Sequence, residues 1–136
     1  MTGLRVYLPL RPGDLRTLLA EGRLDLADRV VRGVSPTLAA ALPRADEEER
    51  EQAAFADAVD DAVGEQAAGR RIAVLSFDAI AQDLAWEAQG SGARMRGAVA
   101  RRDVASCHIG EDASADADLL WYDVTELPQV AELLGD

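Results

Sequence analysis

Ile72-Ala73-Val74-Leu75-Ser76-Phe77 is an apolar run interrupted only by one serine. Continuity of this kind belongs to a strand covered on both faces, because a strand with one wet face alternates apolar and polar residues. The fold is therefore expected to carry layers on both sides of a sheet. Immediately before the run, Gly69 ends a preceding helix and Arg70-Arg71 leads into the strand. Upstream, Leu4, Val6 and Leu8 alternate with Arg5 and Tyr7 as a half-buried strand that Pro9 ends, and the β-branched Val30, Val31 and Val34 mark a second strand near Arg29 to Val34.

Helices fill the intervals. Pro12-Gly13-Asp14 supplies a turn and an N-cap, Leu15, Leu18 and Leu19 form one stripe, and Gly22 stops it. Ser35 before Pro36 starts a short helix carrying Leu38 and Leu42, which Pro43 breaks. A longer helix is predicted from Asp46 to Ala68, with Asp46, Glu47, Glu48 and Glu49 against the positive end of its dipole. Its buried face is expected to carry Phe55, Val59, Ala62 and Val63. Asp78 to Gln89 can form a helix on Ile80 and Leu84, although Trp86 falls off the stripe, and Gly90-Ser91-Gly92 reads as a loop.

Arg94 to Ala100 and Val104 to Ile109 read as two paired strands joined by Arg101-Arg102-Asp103. Gly110 to Asp118, GEDASADAD, has no apolar face and is an acidic loop. Leu119 to Val124 is a last strand, followed by a helix capped by Thr125 with Leu127, Val130, Ala131 and Leu134 on one side. There is no repeat and no interdomain linker. The sum is a single domain over residues 1–136, α+β or mixed α/β, with a mixed sheet of five to six strands covered by helices.

Composition narrows the chemistry. The 136 residues carry 25 acidic and 14 basic side chains, a formal net charge of −11, and that length suffices for one core. Every basic residue is arginine, since lysine is absent, and asparagine is absent too. Without lysine there is no Schiff base, no Walker A phosphate lysine and no kinase-type lysine. One cysteine, Cys107, and one histidine, His108, exclude an internal disulfide and any two-Cys, two-His or four-Cys zinc cage. No cofactor or metal is implied. A free thiol, and the lack of a signal-like or membrane-spanning apolar run, point to the cytoplasm. The strong negative charge argues against nucleic acid and anionic membranes as partners. Alanine and arginine enrichment also fits the codon bias of a GC-rich genome.

Few residues remain for function. Cys107 and His108 are adjacent, but consecutive strand side chains point to opposite faces, so Cys107 joins Ala105 and Ile109 while His108 joins Val104 and Ser106. Cys107 then reads as a small buried apolar residue, and His108 as a side chain able to hydrogen-bond Ser106. Ser91 lacks the G-x-S-x-G setting of an exposed nucleophile, and Glu111, Asp112, Asp116 and Asp118 lack the spacing of an EF-hand. Arg94 and Arg96 share a strand face with Arg101 and Arg102 nearby, a group able to fork onto a phosphate or carboxylate, although the chain's own carboxylates compete for it. Trp121 and Tyr122 lie on opposite faces, so one enters the core while the other can serve as an interface anchor. From Asp46 to Glu65 nine acidic residues accompany one arginine, Arg50, as a solvated face or a dock for a basic partner.

Taken together, the segment Arg5 to Leu10, the V-S-P-T at Val34, the run from Ala45 to Phe55, the strand from Arg71, V-A-S-C-H-I from Val104 and L-L-W-Y-D-V-T-E-L from Leu119 resemble a family of small uncharacterised actinobacterial proteins. The resemblance spans nearly the whole chain, implies one cytoplasmic domain, and brings no catalytic motif or cofactor with it; residues 78–93 match least. Two functions are expected from these readings. The first is a non-catalytic protein-binding or regulatory module using Trp121 and Tyr122, and it leans away from an enzyme. The alternative is a small anion- or phosphate-ligand-binding protein or enzyme using Arg94, Arg96, Arg101 and His108.

Overall fold

The computed structural model describes residues 3–136. The strands are β1 (Leu4–Pro9), β2 (Arg23–Asp25), β3 (Val30–Gly33), β4 (Ala73–Ala79), β5 (Leu84–Trp86), β6 (Gly92–Met95), β7 (Ala98–Ala100), β8 (Val104–Gly110) and β9 (Leu119–Asp123). The helices are α1 (Asp14–Glu21), α2 (Pro36–Ala41), α3 (Glu47–Gly64) and α4 (Leu127–Leu134). Seven strands form one sheet in the order β5-β6-β3-β1-β4-β8-β9, and β2 with β7 makes a separate two-stranded ribbon. Helices and strands thus combine in one α+β domain. The main sheet has seven strands against the expected about five to six, and every neighbouring pair is antiparallel rather than mixed.

The apolar run from Ile72 to Phe77 supplies most of β4, which sits near the centre of this sheet between β1 and β8. Its Ala73, Leu75, Phe77 and Ala79 join a core with α1, α4 and the ribbon, whereas Val74 packs on the opposite face with Tyr7 and α3. Burial on both faces is what the near-continuous apolar pattern demanded, and Ser76 within it is buried too.

Several local expectations are corrected by packing. The segment from Asp78 is not a helix: β4 continues to Ala79, a short 3-10 turn follows, and Leu84–Trp86 pairs with β6. Ile80 and Leu84 have helical spacing, but backbone pairing with Ala93 to Met95 competes successfully for this segment. The two strands expected to pair do not. The stretch from Arg94 divides into β6 and β7, β7 joins β2, and β8 lies between β4 and β9. Strand β2 had no period of its own; three residues carry too little pattern.

On α3 the fully buried residues are Ala54, Ala58 and Ala62, with Phe55, Val59 and Val63 at their flanks. Small side chains let the helix lie close to the sheet. Its N-terminus is a complete capping box, with Asp46 accepting from the Glu49 amide and the Glu49 side chain accepting from that of Asp46. Asp14 is not an N-cap: it is the first residue of α1, and its carboxylate takes two bonds from the Arg29 guanidinium at 3.0 and 2.9 Å. Before α4 it is Asp123, not Thr125, that caps the 3-10 turn over 124–126. A bulge between Ser76 and Phe77 shifts the register so that Val104 opposes Phe77 and joins the core with Cys107 and Ile109, rather than sharing the face of His108.

Candidate functional site

The expected anion-binding arginines and His108 occupy different parts of the molecule. Arg94 is exposed on β6 and donates to the Asp28 carbonyl at 3.3 Å, and Arg96, Arg101 and Arg102 are exposed beyond it. Strands β3, β1 and β4 separate β6 from β8, which carries His108. Four strand spacings amount to roughly 19 Å. None of the described clefts is lined both by His108 and by Arg94, Arg96 or Arg101.

His108 and Trp121 do come together. They face each other across the β8–β9 pair, while Tyr7 opposes Ser76 and Ser76 opposes Ser106. These side chains share the sheet face on which α3 lies. From α3, Glu48, Glu51, Gln52 and Phe55 stand on one stripe at positions three and four apart. With Arg5 they enclose an open cleft of about 320 Å³. Phe55 meets Tyr7 nearly at right angles, with ring centroids 5.4 Å apart, and meets His108 at 4.8 Å and 63°. Three rings therefore wall the cleft beside the indole of Trp121.

Trp121 is 63% exposed, whereas Tyr122 is half-buried against the main core. This answers the alternation question left by the strand period: Trp121 faces out. It stands on β9, which has β8 as its single neighbour, so the other edge of β9 is unpaired among the described residues. Leu120 is also exposed.

The electrostatics of the cleft are negative. Arg5 lines it, but its guanidinium is held by the Asp78 carboxylate at 2.9 Å, which raises the arginine further above its ordinary value. Glu51 reinforces that shift through its charge, and among the described residues neither Glu48 nor Glu51 makes a direct ion pair. Burial, reinforced by the charges of Glu51 and Glu47 against the opposing Arg5, pushes the Tyr7 phenol up to about 12. Burial lowers the pKa of His108, leaving the imidazole neutral at pH 7, with Nε2 within 3.0 Å of the Ser106 hydroxyl. Cys107, on the other face, is pushed up to about 12 by burial and stays a thiol. That Arg5, Tyr7 and Phe55 share a cleft with His108 was beyond sequence reasoning, because it depends on strand order and on where α3 lies.

A second cleft of about 680 Å³ lies where β1, β3 and α3 meet. Its arginines are engaged internally, Arg29 with Asp14 at 2.9 Å and Arg32 with Asp61 at 2.7 Å. Among the described residues no group of three or more His, Cys, Asp or Glu is placed to hold a metal ion, and no helix is long and apolar enough to cross a membrane.

Residues 4–117 match DUF6912, described as a family of unknown function. The chain belongs to this family. The DUF6912 match takes in Arg5, Tyr7, the α3 stripe and His108, while Trp121 and α4 lie beyond its end. No curated protein and no solved structure matches the chain significantly.

Proposed function

We infer that this DUF6912 member is a non-catalytic recognition module that docks a protein partner by adding an extended segment of that partner to β9. The observation that carries the reading is an exposed Trp121 on an unpaired edge strand. An open edge presents a row of backbone donors and acceptors that a partner strand can satisfy, and a large exposed aromatic beside it supplies the apolar anchor. The partner is basic, because Glu48 and Glu51 flank the approach and the chain carries a formal net charge of −11. That same charge disfavours a second copy of the chain as occupant. The inert Cys107 thiol and the separation of His108 from Arg94, Arg96 and Arg101 favour recognition over turnover.

Affinity capture from the source cell tests the reading. The wild-type chain is expected to retain a stoichiometric basic protein, with cross-links at Leu119–Asp123, and Trp121→Ala to release it. Absence of such a partner at both low and moderate salt, or retention undiminished by Trp121→Ala, overturns the reading.

A further inference from the structure

We propose that the cleft walled by Tyr7, Phe55 and His108 beside Trp121 is a binding site for one basic side chain, an arginine or lysine presented by the segment that docks on β9. The inference rests on the docking reading above and names what the docked strand must carry.

Ring faces bear negative potential and attract cations, and Trp is the strongest of the aromatic acceptors. In this cleft three rings lie within 5.4 Å of one another in pairs, through Phe55, and carboxylates from Glu48 and Glu51 line the same space. A cation lying there meets an apolar body for its stem and acidic groups for its head. That division suits a long amphipathic side chain better than an inorganic ion.

Strand geometry delivers such a side chain. In an antiparallel pair the residue directly opposite Trp121 projects from the same face, with Cβ atoms roughly 5 Å apart. A long basic side chain at that position lies across the indole and points its charge toward Glu48 and Glu51. Arg5, the one basic residue lining the cleft, hydrogen-bonds Asp78 and also acts on Glu51 through its charge, so the carboxylates still outnumber it there. The remaining groups lining the cleft with His108 are Tyr7, Gln52, Phe55, Ser76, Ser106 and Trp121, all uncharged at neutral pH. An anion finds two glutamates and an already paired arginine, so phosphate is excluded by the same inventory.

The test uses small probes that need no knowledge of the partner. n-Butylguanidinium and n-butylammonium chloride are titrated against the full chain at constant ionic strength, with sodium chloride and sodium phosphate as comparators. The indole N–H resonance of Trp121 is read by NMR, with that of Trp86 as internal reference. Both organic cations are expected to move Trp121 saturably while the comparators do not. The Glu48→Gln, Glu51→Gln double variant is expected to weaken binding roughly fivefold, and Glu132→Gln, an exposed charge on α4, to leave it unchanged. A non-saturating response, equal weakening by Glu132→Gln, or a matching shift with phosphate overturns the proposal. The two readings fail separately. If the probes do not bind while Trp121→Ala still abolishes partner capture, the cation site is wrong and strand docking stands; if capture survives Trp121→Ala, docking is wrong and so is the basic side chain it was to deliver.

Discussion

Asp136 shows how much a single carboxylate can hold. Its side chain is almost fully buried, accepts from the amides of Gly13 and Leu15 at 3.0 and 3.2 Å, and meets the Arg70 guanidinium at 3.0 Å. Gly13 offers α1 no capping side chain and holds a left-handed φ of 87°, so the orphan donors of that helix are satisfied from the far end of the chain. Asp136→Ala is expected to cost about 3 kcal/mol in urea unfolding, since it leaves Arg70 buried without its charge partner; Asp136→Asn should cost less. Cys107 is expected to resist alkylation at pH 8 in native protein and to react fully in denaturant, because its thiol, pushed to about 12, is also buried. Tyr7 gives a pH dependence with a definite sign. Its folded pKa is raised from 10.0 to about 12, so above pH 10 the unfolded chain loses its proton first and stability falls as pH rises toward 12; Tyr7→Phe should flatten that part of the denaturation profile. Burial of Cys107 could be read from its apolar neighbours, and the His108–Ser106 contact from their spacing. The Asp136 cap could not, because no local pattern links residues more than a hundred positions apart.

Among the elements, α3 marks the boundary between pattern and packing. Its capping box and its acidic first turn follow from local rules that any Asp-x-x-Glu start obeys, but its end does not: α3 stops at Gly64, short of the Ala68 expected from Gly69 as its stop. Which stripe faces the sheet is decided instead by how closely two surfaces can approach, and there the alanines at 54, 58 and 62 displace the larger Phe55, Val59 and Val63 to the flanks. Ala58→Leu is therefore expected to destabilise by about 1–3 kcal/mol through overpacking, whereas Ala56→Leu, on the exposed side, should be close to neutral. Thermal unfolding of the pair checks the difference. The segment after β4 illustrates the opposite limit: a three-residue strand such as β5 has too few residues to show a period, and only its partner β6 makes it a strand. Likewise β7 and β8 look like a hairpin in sequence because their neighbours across the sheet are invisible there.

For the whole molecule, strand order sets the behaviour. β1 lies between β3 and β4, with Leu4 opposite Ala79, so the centre of the sheet closes only after most of the chain has been brought together. Refolding is expected on the millisecond-to-second scale of sheets dominated by non-local pairing, a rate that stopped-flow tryptophan fluorescence measures. The net charge of −11 gives a second expectation at this scale: association with a basic partner should weaken steeply as salt shortens the screening length from roughly 30 Å at 0.01 M to about 8 Å at physiological ionic strength. The two sides of the sheet are also unequal. One carries α1, α4 and the β2–β7 ribbon over a broad core, and the other rests α3 on three alanines. Limited proteolysis should find its first cuts in and around α3, since the layer with the least apolar surface to lose is the first to lift. Its departure would bare Tyr7 and Val74 on the sheet face of Trp121 and take Glu48, Glu51 and Phe55 away from the cleft, so occupancy of that cleft should in turn hold the layer down and delay those cuts.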